Sequence, residues 1–328
     1  MAKTISADLL RNLAPVRETG AHKGDVGGVM ILAGAPHYPG AAWLTARSAG
    51  RNGAGIVYLA APRSVISIMA SAMPEVAFVP LPETESNAGS RRAIELMDEK
   101  LNRVNAYVIG PGLGDDESTD TLLSTLFGFG GAARRSIAGF GFGAGTSPLI
   151  EEADSIFAKS KNSIVLDADG LNWLAKQPDW WSQVPEQRLV LTPHPMEANR
   201  LSGIPVEKIV ADPSGTAESL AEQWKQTVVI KAGFTAASDG KKTVVSDLAP
   251  TSLATAGSGD CFAGAIGAFL AQGSSPLDAA TLAIGIGSRA ARNLETRFGV
   301  AGVLASDIPD MMAITLNKLI NDDDHGET

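Results

Sequence analysis

Short runs of apolar, mostly β-branched residues recur along the chain, and each run stops at a glycine or a polar residue. These runs are VMILAG (29–34), IVYLAA (56–61), AYVIG (106–110), SIVLDAD (163–169), RLVLT (188–192) and TVVIKAG (227–233). Because the apolar residues are continuous rather than alternating, they predict strands that are covered on both faces, as in a parallel sheet. We therefore expect an α/β fold in three layers, with a central, mostly parallel sheet flanked by helices on both faces.

Helical patterns lie between these runs and after the last one. The expected helices cover 40–52, 64–72, 91–101, 258–272, 276–298 and 306–319, and EVAFVPL (75–81) is a further strand-like segment. TAASDGKKTVVS (235–246) predicts a hairpin that turns at Asp239 and Gly240, so we expect the sheet to end in antiparallel strands. No linker or repeat divides the chain, which indicates one domain over 1–320, a Gly/Phe-rich insertion at 127–149 and a disordered tail at 321–328.

The charge balance excludes several classes of partner. The formal net charge is −9 and no Lys/Arg cluster interrupts it, which disfavours nucleic acid, because phosphate neutralisation needs a basic face. Charged residues interrupt the longest apolar stretches and the first residues lack a signal-peptide pattern, so we expect no membrane span and a cytoplasmic location. The single cysteine, Cys261, excludes an internal disulfide and a Cys-based zinc site.

Polar and glycine residues follow four of the predicted strands. They are Gly110–Gly114 (GPGLG), Asp167–Asp169 (DAD), Thr192–Glu197 (TPHPME) and Lys231–Thr235 (KAGFT). In an open α/β sheet, ligands bind at the carboxyl ends of the strands. These segments therefore predict a single crevice at one edge of the sheet.

The segment Ala254–Asp260 (ATAGSGD) opens the predicted helix at 258–272. Small residues let backbone amides approach an anion closely, and a helix N-terminus carries partial positive charge, so this segment predicts a phosphate-binding loop. Asp260 lies in the first turn. It is either an ordinary helix-start residue or the base that takes a proton from a substrate hydroxyl as that hydroxyl attacks a phosphate.

Three other side chains leave two interpretations open. His194 lies between two prolines, which either present its side chain to a pocket or merely shape the turn into the next helix. Glu197 is either an ordinary first-turn acid or a water-mediated Mg²⁺ contact. Lys231 either reaches a phosphate or pairs with a surface acid.

Two familiar nucleotide-binding patterns do not apply. Gly139–Ala144 formally matches GxGxxA, but no clear strand precedes it, so a Rossmann role is disfavoured. The sequence contains no GxxxxGK[ST], which excludes a Walker-type site. The histidines show no paired metal-ligand spacing either.

Nine short motifs, in this order, resemble the ADP/ATP-dependent NAD(P)H-hydrate dehydratases, a family with a ribokinase-like fold. The resemblance runs from about His22 to Phe298. Its motifs are HKGDVG (22–27), YPGAA (38–42), RNGAG (51–55), MPE (73–75), GPGLG (110–114), LDADGLN (166–172), LTPHPME (191–197), KAG (231–233) and GSGD (257–260). Each motif alone is weak, whereas their order along the chain is specific.

The resemblance implies roles for individual residues. Asp260 would be the catalytic base and contact the hydrated nicotinamide ring. The pocket for hydrated NAD(P)H, written NAD(P)HX, would be lined by Ala42, Gly112, Gly114, His194 and Asp260. The adenine nucleotide would be held by Lys231, Ala232, Gly233, Phe234, Thr235, Gly257, Ser258 and Gly259.

The resemblance also implies the chemistry and the partners. ADP or ATP would phosphorylate the ring hydroxyl, after which phosphate leaves and the double bond returns. Mg²⁺ would bridge the phosphates, with Glu197 as a possible water-mediated contact. The epimerase domain often fused to this family is not found in the sequence, so an NAD(P)HX epimerase is expected as a separate partner. A homo-oligomer is expected as well.

The sequence departs from the family pattern in three places. Asp247–Ser252 (DLAPTS) replaces the usual Asn-Pro-Gly or Gly-Asn, and Ala256-Gly257 replaces Gly-Gly. Both departures bear on nucleotide affinity and on the choice between ADP and ATP. The third is the 127–149 insertion, which would alter assembly or cover the site.

Two alternative functions remain open from the sequence. One is a small-molecule kinase of the same fold, similar to hydroxyethylthiazole or hydroxymethylpyrimidine kinases, although the TPHP and HKG motifs favour the dehydratase. The other is a catalytically weakened, nucleotide-binding regulatory protein. Retention of Asp260, His194 and Lys231 together argues against this second alternative.

Overall fold

The computed structural model describes residues 2–83, 87–129 and 155–321, in which ten strands form one sheet. The strands are β1 Lys3–Thr4, β2 Gly28–Leu32, β3 Ile56–Pro62, β4 Ala77–Leu81, β5 Ala106–Ile109, β6 Ser163–Leu166, β7 Leu189–Leu191, β8 Thr227–Ile230, β9 Ala236–Ser238 and β10 Thr243–Val245. Their order is β1-β10-β9-β8-β7-β6-β5-β2-β3-β4, and β9 alone among them runs against the others. The expected mostly parallel sheet is confirmed.

Helices cover both faces of this sheet. They are α1 Ala7–Leu13, α2 Pro39–Arg51, α3 Arg63–Met69, α4 Asn87–Asp98, α5 Glu117–Phe127, α6 Ile156–Lys159, α7 Asp169–Leu174, α8 Pro195–Ser202, α9 Val206–Ala211, α10 Pro213–Trp224, α11 Ser258–Ala271, α12 Pro276–Phe298 and α13 Ile308–Asn321. Successive strand residues point to opposite faces, so Val29 and Ile31 join one hydrophobic core while Met30 and Leu32 join the other. The three-layer architecture is confirmed, and none of the described helices is long and apolar enough to cross a membrane.

The hairpin β9–β10 is confirmed, but it does not form the edge of the sheet. Lys3 and Thr4 of β1 pair with Val244 and Val245 in parallel and cover β10. A strand of two residues has no periodic pattern, so sequence patterns could not reveal it.

The proposed insertion at 127–149 and the proposed tail at 321–328 each begin at the last residue of a described helix. Phe127 is the last residue of α5, Gly128 caps that helix with φ 75°, and the ring of Phe129 stacks on Trp173 at 5.5 Å. Asn321 is the last residue of α13. The rest of the proposed insertion and of the tail lies outside the described residues.

The sheet changes its direction of growth between β2 and β5. The chain leads from β2 to β3 and β4 on one side, and then returns to place β5 on the other side of β2. Loops that leave neighbouring strands in opposite directions open a crevice at their carboxyl ends. Here the Gly34 amide donates a hydrogen bond to the Pro111 carbonyl at 2.9 Å, which ties the two loops together below this crevice.

Helix α11 lies unusually close to α2 and to the middle of the sheet. A Cβ atom on Gly264 would overlap the Thr45 carbonyl oxygen, and one on Gly267 would overlap a methyl group of Val108. The Ser48 hydroxyl also donates a hydrogen bond of 2.6 Å to the Cys261 carbonyl. This close approach holds the N-terminus of α11 over the carboxyl ends of the central strands.

We predict that Gly264→Ala destabilises the protein by about 1–3 kcal/mol, because the added methyl group forces two packed backbones apart. The matched control is Gly50→Ala, a helical position where a Cβ atom meets nothing within 4 Å. That substitution should be neutral or should stabilise by up to about 1 kcal/mol through its higher helix propensity. Denaturant unfolding of both variants measures the difference, and equal midpoints would show that the α11–α2 contact is not tight.

Candidate active site

A buried ion pair lies at the centre of the site. Asp167, which is 1% exposed, follows β6, and Lys231 follows β8. The Lys231 Nζ donates to Asp167 Oδ1 at 2.6 Å, and the Thr192 hydroxyl donates to the same oxygen at 2.8 Å. Burial alone would lower the pKa of Lys231, but the carboxylates of Asp167 and Glu197 raise it above its ordinary value. Lys231 is therefore a fixed cation whose partner is a buried acid rather than a surface acid.

The turn that carries Asp167 is strained and supported by the neighbouring loop. Ala168 has φ 48° and ψ −117°, a conformation that residues with a Cβ rarely adopt. Gly110 packs so closely on this turn that a Cβ atom would overlap the Asp167 carbonyl oxygen. The Gly114 amide donates to Asp169 Oδ2 at 2.8 Å. The GPGLG and DAD motifs thus hold each other in place.

The predicted phosphate-binding loop lies directly against the ion pair. A Cβ atom on Gly259 would lie 3.3 Å from Lys231 Nζ and 3.7 Å from Asp167 Oδ2. Gly257 precedes α11 with φ 92°, and the Ser258 hydroxyl donates to the Leu253 carbonyl at 2.7 Å. Glycine at 259 therefore leaves room above the cation, next to the free amides of the first turn of α11.

Asp260 lies half-buried in that first turn and faces the same charges. Burial, together with repulsion from Asp167, raises the pKa of Asp260 to about 7, although Lys231 acts in the opposite direction. A helix-start acid on an open surface would not behave in this way. A carboxyl group that titrates near neutral pH is suited to accept a proton, which favours the interpretation of Asp260 as a base.

His194 and Glu197 form a capping box at the start of α8. His194 Nδ1 accepts hydrogen bonds from the amides of Met196 and Glu197 at 3.1 and 3.4 Å, and Glu197 Oε2 accepts one from the His194 amide at 2.8 Å. Burial, followed by the charge of Lys231, lowers the pKa of His194. Burial raises the pKa of Glu197. His194 is therefore neutral at pH 7, and Glu197 has a structural partner as a first-turn acid.

A cavity of about 520 Å³ opens beside these residues. Around the ion pair it is lined by His194, Lys231, Ala232, Gly233, Thr235, Ser258 and Gly259, and two further polar residues, Thr251 and Ser288, line its other part. Its apolar lining comes mainly from Leu248, Ala249, Pro250, Phe262, Ala283, Ile284, Gly287, Ile308 and Met312. An anion site and an apolar wall within one cavity fit a ligand with a phosphate group and a flat, weakly polar ring.

The cavity brings together most of the predicted nucleotide residues, with two exceptions. The Phe234 side chain is 55% exposed and does not line the cavity. Gly257 packs instead against Leu44 and Ala305, where a Cβ atom would meet both side chains. His194, which we expected on the dinucleotide side, lines the same cavity as Lys231.

The other residues expected to contact the dinucleotide lie beside the crevice between β2 and β5. Ala42 is fully buried, so its side chain supports this crevice and cannot line it. Gly112 packs against Tyr38, and a Cβ atom there would lie 3.1 Å from the Tyr38 carbonyl oxygen. Gly114 faces open space, because a Cβ atom there would meet nothing within 4 Å. Gly112 and Gly114 are both partly exposed, whereas Ala42 is not.

Sequence reasoning missed two parts of this site. It placed Asp167 at a strand end but gave it no role, although an acid that directly follows a fully apolar strand is a sign of a buried charge. It treated the segment 247–252 only as a departure from a pattern, whereas residues 248–251 line the cavity. The HKGDVG motif, by contrast, directly precedes β2 and so lies at the amino ends of the strands, away from this site. Gly27 packs there on the Ala271 carbonyl.

Known proteins resemble this chain over nearly its whole length. A family model described as NAD(P)H-hydrate dehydratase matches residues 29–128 and 132–313. The bifunctional NAD(P)H-hydrate repair enzyme Nnr of Salinibacter ruber is 32% identical over 301 residues, which cover 91% of this chain and 49% of that enzyme. The ADP-dependent (S)-NAD(P)H-hydrate dehydratase of Xanthomonas campestris pv. campestris is 31% identical over 319 residues, or 97% of both chains. The chain thus spans about half the length of the bifunctional relatives it matches.

Solved structures agree on the fold. A hypothetical protein of Streptococcus mutans superposes with a TM-score of 0.77 and 22% identity over 98% of this chain and 100% of its own. The ADP/ATP-dependent NAD(P)H-hydrate dehydratase of Bacillus subtilis, co-crystallised with ATP and Mg²⁺, superposes with a TM-score of 0.76 and 22% identity. The superposition covers 97% of this chain and 99% of that enzyme. A ribokinase-like protein of Enterococcus faecalis superposes with a TM-score of 0.74 and 19% identity over 97% of this chain and 96% of its own. The ribokinase-like fold is confirmed.

We predict that Asp260→Asn stabilises the protein in alkaline solution. The pKa of Asp260 is about 7 in the folded state and about 3.9 in an unfolded chain, so the wild type loses stability as the pH rises from 4 to 7. The neutral asparagine does not titrate. The variant should therefore equal the wild type near pH 4 and exceed it by about 1–3 kcal/mol at pH 8. Unfolding measured at several pH values tests this, and a constant difference across that range would show that Asp260 has an ordinary pKa.

Proposed function

The chain belongs to the NAD(P)H-hydrate dehydratase family, and we propose that it uses an adenine nucleotide to convert (S)-NAD(P)HX into NAD(P)H. One observation supports this proposal above the others. Asp260, whose burial raises its pKa to about 7, interacts with the charge of Lys231 and directly follows Ser258 and Gly259, which line a cavity of about 520 Å³. The family relationship favours this activity over that of a small-molecule kinase.

The phosphate end of the nucleotide would lie at the N-terminus of α11. The free amides of this helix and the Lys231 ammonium group converge there, and Gly259 leaves space between them. Donors held in place before the reaction stabilise the charge of a transferring phosphoryl group without having to reorganise. Because Lys231 is already fixed by Asp167, its position does not depend on the ligand.

Asp260 would take the proton of the ring hydroxyl as the hydroxyl oxygen attacks the terminal phosphorus. The bond from that phosphorus to the bridging oxygen breaks, which releases ADP from ATP or AMP from ADP. Phosphate then leaves the ring with the electron pair of the C–O bond, the neighbouring carbon loses a proton and the ring double bond returns. Phosphate is a good leaving group near neutral pH, whereas hydroxide is a poor one. A base with a pKa near the working pH suits the first of these steps.

The charges of the site fit a Mg²⁺ ion that arrives with the nucleotide. Asp167, Glu197 and Asp260 all act on the ammonium group of Lys231, and burial, together with repulsion from Asp167, raises the pKa of both Glu197 and Asp260. The described residues contain no ready-made cluster of three metal ligands, so phosphate oxygens and water would complete the coordination. Mg²⁺ would neutralise phosphate charge, with Glu197 as its water-mediated protein contact, while Asp260 stays free to act as the base.

The hydrated dinucleotide would enter the crevice between β2 and β5. Its nicotinamide ring would reach Asp260 past Gly114 and His194, while Gly112 and Ala42 shape the floor beneath them. Because Nδ1 of His194 accepts the Met196 and Glu197 amides, a neutral His194 carries its proton on Nε2 and can donate a hydrogen bond to the carbonyl of the nicotinamide amide. An NAD(P)HX epimerase and a second copy of the chain remain proposed partners, and a cytoplasmic location remains proposed as well.

We predict that NADH absorbance returns when the protein meets NADHX, Mg²⁺ and either ADP or ATP together. Asp260→Asn removes the base but keeps the shape, so turnover should fall by roughly a hundredfold or more. Calorimetry should show that this variant still binds the nucleotide. If NADH absorbance returned no faster with the protein than without it, for both nucleotides, the proposed activity would be contradicted. Near wild-type turnover of the variant would instead reduce Asp260 to a helix-start residue.

We predict that different substitutions weaken the binding of the two ligands. Each substitution removes one charge-assisted contact, so the affinity for its ligand should fall by roughly tenfold to a hundredfold. Lys231→Ala should weaken ADP and ATP, and His194→Ala should weaken NADPH, a stand-in for its hydrate. Two further variants separate binding from structure. Asp167→Asn with Lys231→Met removes the cation without leaving an unpaired buried carboxylate, and His194→Asn keeps a cap for α8. Calorimetric titration measures all four, and the reverse pattern would exchange the two binding regions.

A further inference from the structure

The segment that differs from the family pattern forms one wall of the cavity. It runs from Ser246 to Ser252, between β10 and the anion loop, and its residues Leu248 to Thr251 line the cavity. The opposite lining includes Ala283, Ile284 and Gly287 of α12. The distance between this segment and α12 therefore sets the width of the apolar part of the cavity.

One bidentate ion pair fastens the segment to α12. Arg289 donates from Nη2 to Asp247 Oδ2 at 2.7 Å and from Nη1 to Asp247 Oδ1 at 3.1 Å. The two side chains are 18% and 28% exposed, so the pair is partly shielded from solvent. Arg289 Nη1 also donates to the Gly285 carbonyl, one turn earlier in α12, at 3.2 Å. The guanidinium group is thus fixed to its own helix before it holds Asp247.

Contacts on both sides of this pair complete the attachment. The Ser246 and Ser288 hydroxyl groups lie 3.1 Å apart, and Ser246 Oγ donates to the Leu248 carbonyl at 2.6 Å. The Ser252 amide donates to Glu295 Oε1 at 3.2 Å. Each of these hydrogen bonds joins the segment to α12 or lies within the segment. The residues between the bonded positions are mostly apolar, so they line the cavity mainly through their shape.

We propose that Asp247 and Arg289 are positioning residues that hold this wall in the conformation that binds the nucleotide. The inference rests on the proposed nucleotide-dependent function. A wall that binds through shape must be ordered before the ligand arrives, because ordering a loose segment on binding costs affinity. Neither residue lines the cavity or reaches Asp260 and Lys231, so the pair acts on nucleotide affinity and leaves the chemical step alone.

The experiment titrates the full chain with ATP and with ADP, each with Mg²⁺, and separately with NADPH. Asp247→Asn and Arg289→Met remove the ion pair, and Arg289→Lys keeps the charge but loses the bidentate geometry. Asp247→Arg combined with Arg289→Asp restores a pair of opposite charges. The matched control is Arg92→Met, which breaks the Arg92–Glu95 pair at 2.9 Å on α4, a helix of the other layer.

We expect the nucleotide Kd of both single variants to rise by about fivefold to thirtyfold, as for a partly shielded, charge-assisted contact. The nucleotide Kd of Arg289→Lys should lie between those of the single variants and the wild type. The variant with the reversed pair should recover part of the lost affinity. NADPH binding, and turnover at saturating nucleotide, should stay within about twofold of wild type, as should every value for Arg92→Met.

Three outcomes would overturn the proposal: unchanged nucleotide affinity in both single variants, an equal loss for NADPH and nucleotide, or a loss of turnover that saturating nucleotide does not restore. Failure of the proposed function looks different, because the wild type itself would then return no NADH from NADHX with either nucleotide, whatever the variants do to nucleotide affinity.

Discussion

The close approach of α11 to α2 and to the central strands determines where every functional group in this protein lies. Gly264 and Gly267 allow the helix to rest on the Thr45 carbonyl and on Val108, at a distance that no larger residue permits. As a result the first turn of α11 reaches the carboxyl edge of the sheet, where Gly259 faces Lys231 and Asp167. A helix seated farther from the sheet would carry Asp260 and the amides of the anion loop away from the strand ends, and the site would lose its geometry.

The charges at this edge are arranged around one cation. Lys231 is held by Asp167, which is buried and also bound by Thr192, so neither member of the pair can turn away. Burial raises the pKa of the remaining carboxylic acids, Glu197 and Asp260, although the charge of Lys231 acts in the opposite direction on both. A site in this state favours the arrival of positive charge or the uptake of a proton. Both events belong to phosphoryl transfer from a metal-bound nucleotide to a hydroxyl group.

Different parts of the fold shape the crevice and the cavity. The crevice at the switch point between β2 and β5 is shaped by the mutual support of the GPGLG and DAD motifs, whereas the cavity beside β8 is shaped by the 246–252 segment and α12. Asp260 lies in the first turn of α11, next to Ser258 and Gly259, which line that cavity. The strained backbone of Ala168 persists because the packing of Gly110 on this turn fixes it from outside.

The sequence by itself determined the layered fold, the strands with continuous apolar runs, and the position of Lys231, His194 and Asp260 at strand and helix ends, because these features depend on local periodicity and on small residues. It could not show that β1 covers the edge of the sheet, since two residues carry no pattern. Nor could it choose between the interpretations of Lys231 and Asp260, because their charges depend on residues distant along the chain that only folding brings together. Tertiary structure alone decided that Asp167 is the partner of Lys231 and that Ala42 is buried. It alone also decided that the segment 247–252, which differs from the family pattern, forms a wall of the cavity. The physical reason is the same in each case: burial and electrostatic energy depend on distances in space, which the order of residues does not specify.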